Sequence, residues 1–302
     1  MATAASGAAR REGGAWRWLT LAPAATIYIA LAVLPIANLV VMSFHDIRWA
    51  DGIARWSAVG FRHYAELSRD PLFAAGLRNT VVFAVLAVGA EMVIGFVLAQ
   101  WVSRAGRAEI VYRTVFLLPI LLPGIVIGAI WKLMYNPDFG VVNQMLALAG
   151  IAGRDWLGDR ALALGSVIAV DVWHWTPFVF LLLLAGLQSL PQDVHEAAKV
   201  DGAGTWTELR YVTLPMMLPT IAVTFAFRLI VSFKVFDEVY LLTGGGPGTA
   251  TEVVSFTIYR RFFTEDRMGY GSAISVVVLF LLALTIVLAL AATRRARERA
   301  AS

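Results

Sequence analysis

The sequence contains no cysteine, which excludes disulfide bridges and thiolate metal sites and leaves the redox compartment unconstrained. Histidine is almost as scarce. His45, His63, His174 and His195 are the whole complement, and their separations match no metal-ligand spacing. Charge is thin too, at 15% of residues. No G-x-x-x-x-G-K-[S/T] segment occurs, and the glycine run from Gly244 to Gly248 has no Lys-Ser or Lys-Thr after it, so it fails as a phosphate cradle. Any ATP-driven work must therefore draw on a separate subunit. What is abundant is apolar: 59% of the 302 residues, gathered into blocks far longer than a soluble core of this size needs.

Six blocks reach the roughly 20 residues that a helix needs to cross hydrocarbon. They run from Trp18 to Met42, Leu77 to Val102, Val111 to Tyr135, Leu162 to Leu187, Thr213 to Leu241 and Ala273 to Ala292. A backbone in lipid must satisfy its own hydrogen bonds, so the expectation is an all-α integral membrane protein with six transmembrane helices. Residues 1–16 are expected as an N-terminal tail, 17–293 as the membrane domain and 294–302 as a basic tail. The stretch Met1 to Gly14, rich in Ala, Gly and Arg, reads as disordered, and the first block as an uncleaved anchor too long for a signal peptide.

Lys and Arg divide almost evenly between the two sides, so their clustering sets the orientation. Arg10, Arg11 and Arg17 precede the first block, Arg104, Arg107 and Arg113 crowd one short loop, and Arg294, Arg295, Arg297 and Arg299 follow the last block. The other side spreads its Arg among Asp residues. Both termini are therefore expected in the cytoplasm, and the net charge of +4 reflects topology and not nucleic-acid binding.

One polar loop, 190–214, lies on the same side as the termini and is more structured than a connector needs. Glu196-Ala197-Ala198-Lys199 is a helix former, and adjacent alanines let a partner's backbone come close. Glu196 is expected in the first turn, where the helix dipole favours a carboxylate. Gly202 after Asp201 can take positive φ and reverse the chain. Trp206, Leu209 and Val212 then form an apolar seam, and Pro215 after Leu214 is expected to start the next helix.

Ionisable residues inside spans are costly and mark either function or helix pairing. Glu91 falls in the second block, Asp171 and His174 in the fourth, and Arg228, Lys234 and Asp237 in the fifth, where Lys234 and Asp237 are spaced to pair on one helical face. Trp173 and Trp175 flank His174. Together Glu91, Asp171, Trp173, Trp175, Arg228 and Asp237 are candidates for a polar translocation path, lined by indole faces and hydrogen-bonding charged groups. The same residues equally fit helix–helix glue, and the tryptophans an interfacial belt. In the third block Pro119 and Pro123 remove two helix donors, and Gly124-x-x-x-Gly128 makes a smooth strip for a neighbouring helix.

The loop resembles the EAA loop of permease subunits in bacterial ATP-binding-cassette (ABC) importers. Glu196, Ala197, Ala198, Asp201, Gly202, Ala203, Leu214 and Pro215 fall on its positions, and Leu209 stands where that family often has Phe. Further marks run in the order found in the maltose and glycerol-phosphate permease family: Gly60-Phe61 with Tyr64, Asn79-Thr80, Asn136-Pro137-Asp138-Phe139-Gly140, Trp173-x-Trp175-Thr176-Pro177-Phe178, the segment Leu241 to Gly248, and Gly269 to Ser275.

The resemblance implies an ABC type I importer permease fold in the bacterial plasma membrane and no enzymatic activity. It implies import of a carbohydrate, polyol or glycerol phosphate through a path shared with a second permease. The implied partners are two ATPase subunits docked at the loop and an extracytoplasmic solute-binding protein. No cofactor is expected on this chain, since ATP would sit on the ATPase subunits. An importer for a non-sugar solute keeps the loop but changes the cargo. An ion-coupled secondary transporter would use Glu91, Asp171 and Asp237 as ion sites and leave the loop without a role.

Overall fold

The structure is a computed structural model that describes residues 20–301, with side chains described up to residue 287 apart from Ala50. The expected tail 1–16 lies outside the described residues. Among the described residues, five helices are long and apolar enough to cross a membrane: α1 (Thr20–Ser43), α3 (Pro71–Val102), α7 (Ala163–Gln188), α9 (Thr205–Ser232) and the Met268–Val287 part of α12 (Met268–Ala301). The basic segment expected as a tail from residue 294 continues α12 as helix as far as Ala301.

The third expected span is not one helix. It is split into α4 (Glu109–Leu117), a 3-10 turn Pro119–Leu121 and α5 (Gly124–Met134), with Leu122 and Pro123 extended between them. The two prolines are the cause, because neither can donate an amide hydrogen and Pro123 drives Leu122 out of the helical region. The fifth expected span also ends early. α9 stops at Ser232, and Asp237 opens a separate short helix, α10 (Asp237–Leu242).

The chain divides into two compact units. The first holds residues up to Arg69 together with Arg260–Val277. It contains α1, an antiparallel hairpin of β1 (His45–Ala50) and β2 (Ile53–Ala58), and α2 (Arg62–Leu67). The hairpin, absent from the all-helical expectation, turns at Asp51-Gly52 with φ of 54° and 75°, as a two-residue turn between twisted strands requires. Within this unit Arg267 pairs with Glu66 at 2.5 Å and lies over the Tyr270 ring.

The second unit holds Asp70–Tyr259 and Val278–Ser302. Asp70 caps α3 by accepting the Leu72 and Phe73 amides at 2.8 and 3.4 Å, and Pro71 fills the first helical position, where no amide is needed. α3 packs along α7, and α9 packs on both. The core between them has two centres. One joins Phe83 and Ala87 of α3 to Val167 and Val170 of α7 and to Val235 and Val239. The other joins Ala99 and Val102 to Phe180, Leu183, Leu184 and Met217. α5 packs on α10 through the glycine strip, where a Cβ on Gly124 would come within 2.9 Å of the Asp237 carboxylate and one on Gly128 within 2.8 Å of Leu241. The third block's smooth strip thus serves a neighbouring helix, as its small residues suggest.

Two sequence marks far apart in the chain meet here. Asn79 donates to the carbonyls of Thr249, Ala250 and Glu252 at 2.9, 3.2 and 3.0 Å. Thr80 accepts the Val254 amide at 2.9 Å. The turn-rich segment after Leu242 is thereby pinned through its backbone to the N-terminal part of α3.

Candidate functional site

The polar loop folds as a helix, a tight turn and the start of the next helix. α8 (Gln192–Val200) begins after Pro191 and ends at Asp201. The first-turn acid is Asp193 and not Glu196, which lies a turn further along on the exposed side. Gly202 has φ of +77°, its amide bonds the Lys199 carbonyl at 3.1 Å, and the Ala203 amide bonds the Ala198 carbonyl at 2.9 Å. That pair of bonds is a Schellman turn, which satisfies carbonyls a helix end otherwise leaves open. Ala198 faces inward. Glu196, Ala197, Asp201 and Gly202 are exposed, as are Val200 and Trp206 at 86% and 69%.

Pro215 stands in the first turn of the regular α-helical run Leu214–Ser232, as expected, but that run is not a free start. α9 already runs from Thr205, and its residues Leu209–Thr213 form a π turn directly ahead of Leu214 and Pro215. A proline ring inside a helix clashes with the carbonyl four residues earlier, and the wider π turn takes up that strain. Leu209 opens the π turn and lines, with Gln100, Arg104, Gln188, His195 and Lys199, a polar cavity of about 330 Å³ behind the loop. His195 and Glu208 share a hydrogen bond of 2.6 Å between Nδ1 and Oε1, which ties α8 to the first turn of α9. Nothing in the sequence singles out this pair, thirteen residues apart and in different helices.

The intramembrane candidates separate into two groups. Glu91, Asp171 and Arg228 come together in the interior. Arg228 donates from Nε and Nη2 to the two Glu91 oxygens at 2.5 and 2.6 Å, and from Nη2 to Asp171 at 2.8 Å. The guanidinium and the Glu91 carboxylate are 0% exposed and Asp171 is 3% exposed. Trp175 closes one side, with the guanidinium carbon 4.6 Å from its ring centre. His174 faces Glu238 at 3.2 Å, a partner in α10 that the sequence reading missed. These residues join α3, α7 and α9, buried and paired with one another. Burial in a membrane interior explains why: each charge lacks water and needs an opposite charge with good geometry.

Asp237 and Trp173 behave differently. Trp173 is 40% exposed and packs edge-on to Trp131 at 5.6 Å. Asp237 is exposed at the start of α10 beside Gly124, and no ion pair joins it to Lys234, because the break after Ser232 removes the shared helical face. Of the six candidates, these two are exposed, and Trp175 is half-buried.

Comparison with known proteins places this architecture. The chain is 35% identical over 268 residues to a probable ABC transporter permease protein, YurN, of Bacillus subtilis, covering 87% of this chain and 91% of that one. It is 35% identical over 271 residues to the trehalose/maltose transport system permease protein MalF of Thermococcus litoralis, covering 89% and 91%. Among solved structures, a chain of a bacterial ABC transporter involved in import of the acidic polysaccharide alginate superposes with a TM-score of 0.81 at 24% identity, covering 94% and 96%, which speaks to the fold. Residues 91–298, from the buried Glu91 through the polar loop and into the last helix, match the family described as the binding-protein-dependent transport system inner membrane component, and the chain belongs to that family.

Proposed function

We propose that this chain is the permease subunit of an ATP-driven carbohydrate importer, forming half of a translocation path with a second permease and docking an ATPase through the loop 190–214. The observation that carries the docking is the geometry of α8: an exposed helix of two turns, locked by a Schellman turn, with Glu196, Ala197, Val200 and Trp206 all open. A loop with no partner has no reason to hold Val200 and Trp206 in water. The carbohydrate assignment is supported by relatives named for trehalose and maltose, for starch degradation products and for sulfoquinovosyl glycerol. Two ATPase subunits, one per permease loop, and an extracytoplasmic solute-binding protein complete the assembly. Both termini and the loop lie in the cytoplasm in this reading, with α4 and α5 together supplying the sixth crossing. Closure of the ATPases would draw the two loops together and rock the helix bundles. The ion-coupled alternative loses its ground, since Glu91 and Asp171 are spent on Arg228 and not presented to an ion path.

Purified alone in liposomes, the chain should neither bind nor hydrolyse ATP. Reconstituted with the second permease, the ATPase and the binding protein, it should support ATP-dependent uptake from a panel of labelled mono- and oligosaccharides. Uptake driven by an ion gradient through this chain alone would overturn the reading, and preference for amino acids or phosphate would overturn the carbohydrate assignment.

In the assembled importer, Asp237→Ala or Trp173→Ala should lower saccharide uptake roughly tenfold, the loss of about one good hydrogen bond or stacking contact, with complex yield unchanged. Uptake at the wild-type rate in both variants would remove these residues from the path.

A further inference from the structure

We infer that His195 and Glu208 are positioning residues that make α8 and the first turn of α9 move as one piece, with the π turn Leu209–Thr213 as the hinge. The inference rests on the proposed docking role of α8 and adds how a displacement of that helix reaches the membrane interior. α8 is lightly held by its side chains: Ala198 is its one buried residue, and it rests on the π turn itself. Across the turn at Gly202, the bond between His195 Nδ1 and Glu208 Oε1 is the only side-chain hydrogen bond between the two arms among the described residues. The Schellman bonds hold Gly202 and Ala203 to α8, and the glycine at 204 is the flexible link from there to the second arm.

Where the bond attaches matters. Glu208 is the residue immediately before the π turn, so a pull on α8 enters α9 on the near side of its weakest segment. The π turn has the less regular hydrogen bonding at which helices bend, and Pro215 and Pro219 beyond it remove two further amides from the ladder. Past the hinge, α9 carries Arg228, which is bound to α3 and α7. A pull that passes through residues 209–213 then reaches a bundle that keeps its ion cluster intact and shifts as one body. Without the bond, the Gly204 link would absorb part of the displacement before it reached α9.

The test uses the assembled complex and two measurements that need no knowledge of the transported sugar. A nitroxide is placed at Val223→Cys, an exposed position of α9 beyond the hinge, in a chain with no other cysteine. Its spectrum is compared before and after trapping the ATPase with ADP and vanadate. In His195→Ala and Glu208→Ala the ATPase should still co-purify, but the nucleotide-dependent spectral change should shrink by about fivefold or more, the lower range of a working coupling. His195→Gln, which can still donate to Glu208, should restore it. A mere loss of stability would lower co-purification and would not be rescued in this pattern.

In the second measurement, His195→Cys and Glu208→Cys are joined by a short, reducible bifunctional methanethiosulfonate. Arms that move together should keep ATP hydrolysis within about twofold of the unlinked complex. Loss of hydrolysis on linking, restored by reductant, would show that the arms must part and would overturn the inference, as would an unchanged nitroxide response in both alanine variants. Failure of the unmodified chain to co-purify the ATPase would instead strike at the docking role itself.

Discussion

Replacing Arg228 with alanine should sharply reduce the yield of folded protein and lower its thermal midpoint, with a loss on the order of 3–5 kcal/mol. The size follows from what is left behind. Glu91 and Asp171 would keep their places in the interior with no water and no counter-charge, since both oxygens of Glu91 and one of Asp171 are held by that single guanidinium. Removing one partner of a buried pair is far worse than removing all of it. The triple replacement Glu91→Leu, Asp171→Leu, Arg228→Met leaves no charge stranded, so it should recover much of the yield. Size-exclusion yield and thermal unfolding in detergent, run on both variants, decide the matter. Full yield of Arg228→Ala with loss of uptake alone would mean that these groups face a hydrated path after all. Equal damage from the single and triple replacements would mean that the cluster stabilises through packing and not charge.

That cluster shows what the sequence could and could not tell. Costly charges at Glu91, Asp171 and Arg228 are visible as charges in apolar blocks, and so is the choice between helix pairing and a polar path. The choice itself is not, because it depends on which faces of α3, α7 and α9 meet, and no local pattern encodes a contact 137 residues apart. Glu238 was passed over for a related reason: it belongs to an expected continuous span that in fact breaks after Ser232. Span existence was legible from composition and length, and the turn at Gly202 from its residue type. Span continuity was less so. Pro119 and Pro123 announced a break in the third block, whereas nothing as strong as a proline marks the end of α9. The hairpin carries the two-residue turn signal Asp51-Gly52, but its short strands of mixed polarity stand outside the long apolar blocks that dominate this sequence.

The division among the candidate path residues also limits where this chain can meet its cargo. Residues held in the interior by one another cannot exchange partners with a sugar without first stranding a charge, and the cost of that step would exceed what a hydroxyl returns. In the proposed path, contact then falls to groups at the surface of the bundle. Trp173 offers an apolar face and Asp237 an acceptor, on α7 and α10 respectively. Both stand on rigid elements. A path completed by a second permease needs such groups at a surface, where a single subunit leaves them exposed.

Replacing Gly202 with aspartate should abolish ATP-driven uptake, by at least about tenfold, while the protein still inserts and folds at its normal yield. Strain is not the reason. A Cβ at this position meets nothing within 4 Å, and at φ of +77° an aspartate is among the side chains that tolerate left-handed backbone best, so the Schellman turn should survive at a cost of roughly 1–2 kcal/mol. The damage arises at the surface. Gly202 and Glu196 are both exposed on the proposed docking loop, so the new carboxylate adds charge and bulk where a partner's backbone is expected to lie closest. Gly202→Ala separates the two effects, because it carries the strain without the charge. It should retain most of the uptake. Co-purification of the ATPase, measured beside uptake, should be lost in the aspartate variant and kept in the alanine one. Normal uptake and stoichiometric ATPase with Gly202→Asp would remove this turn from the docking surface, and equal loss in both variants would place the defect in the backbone.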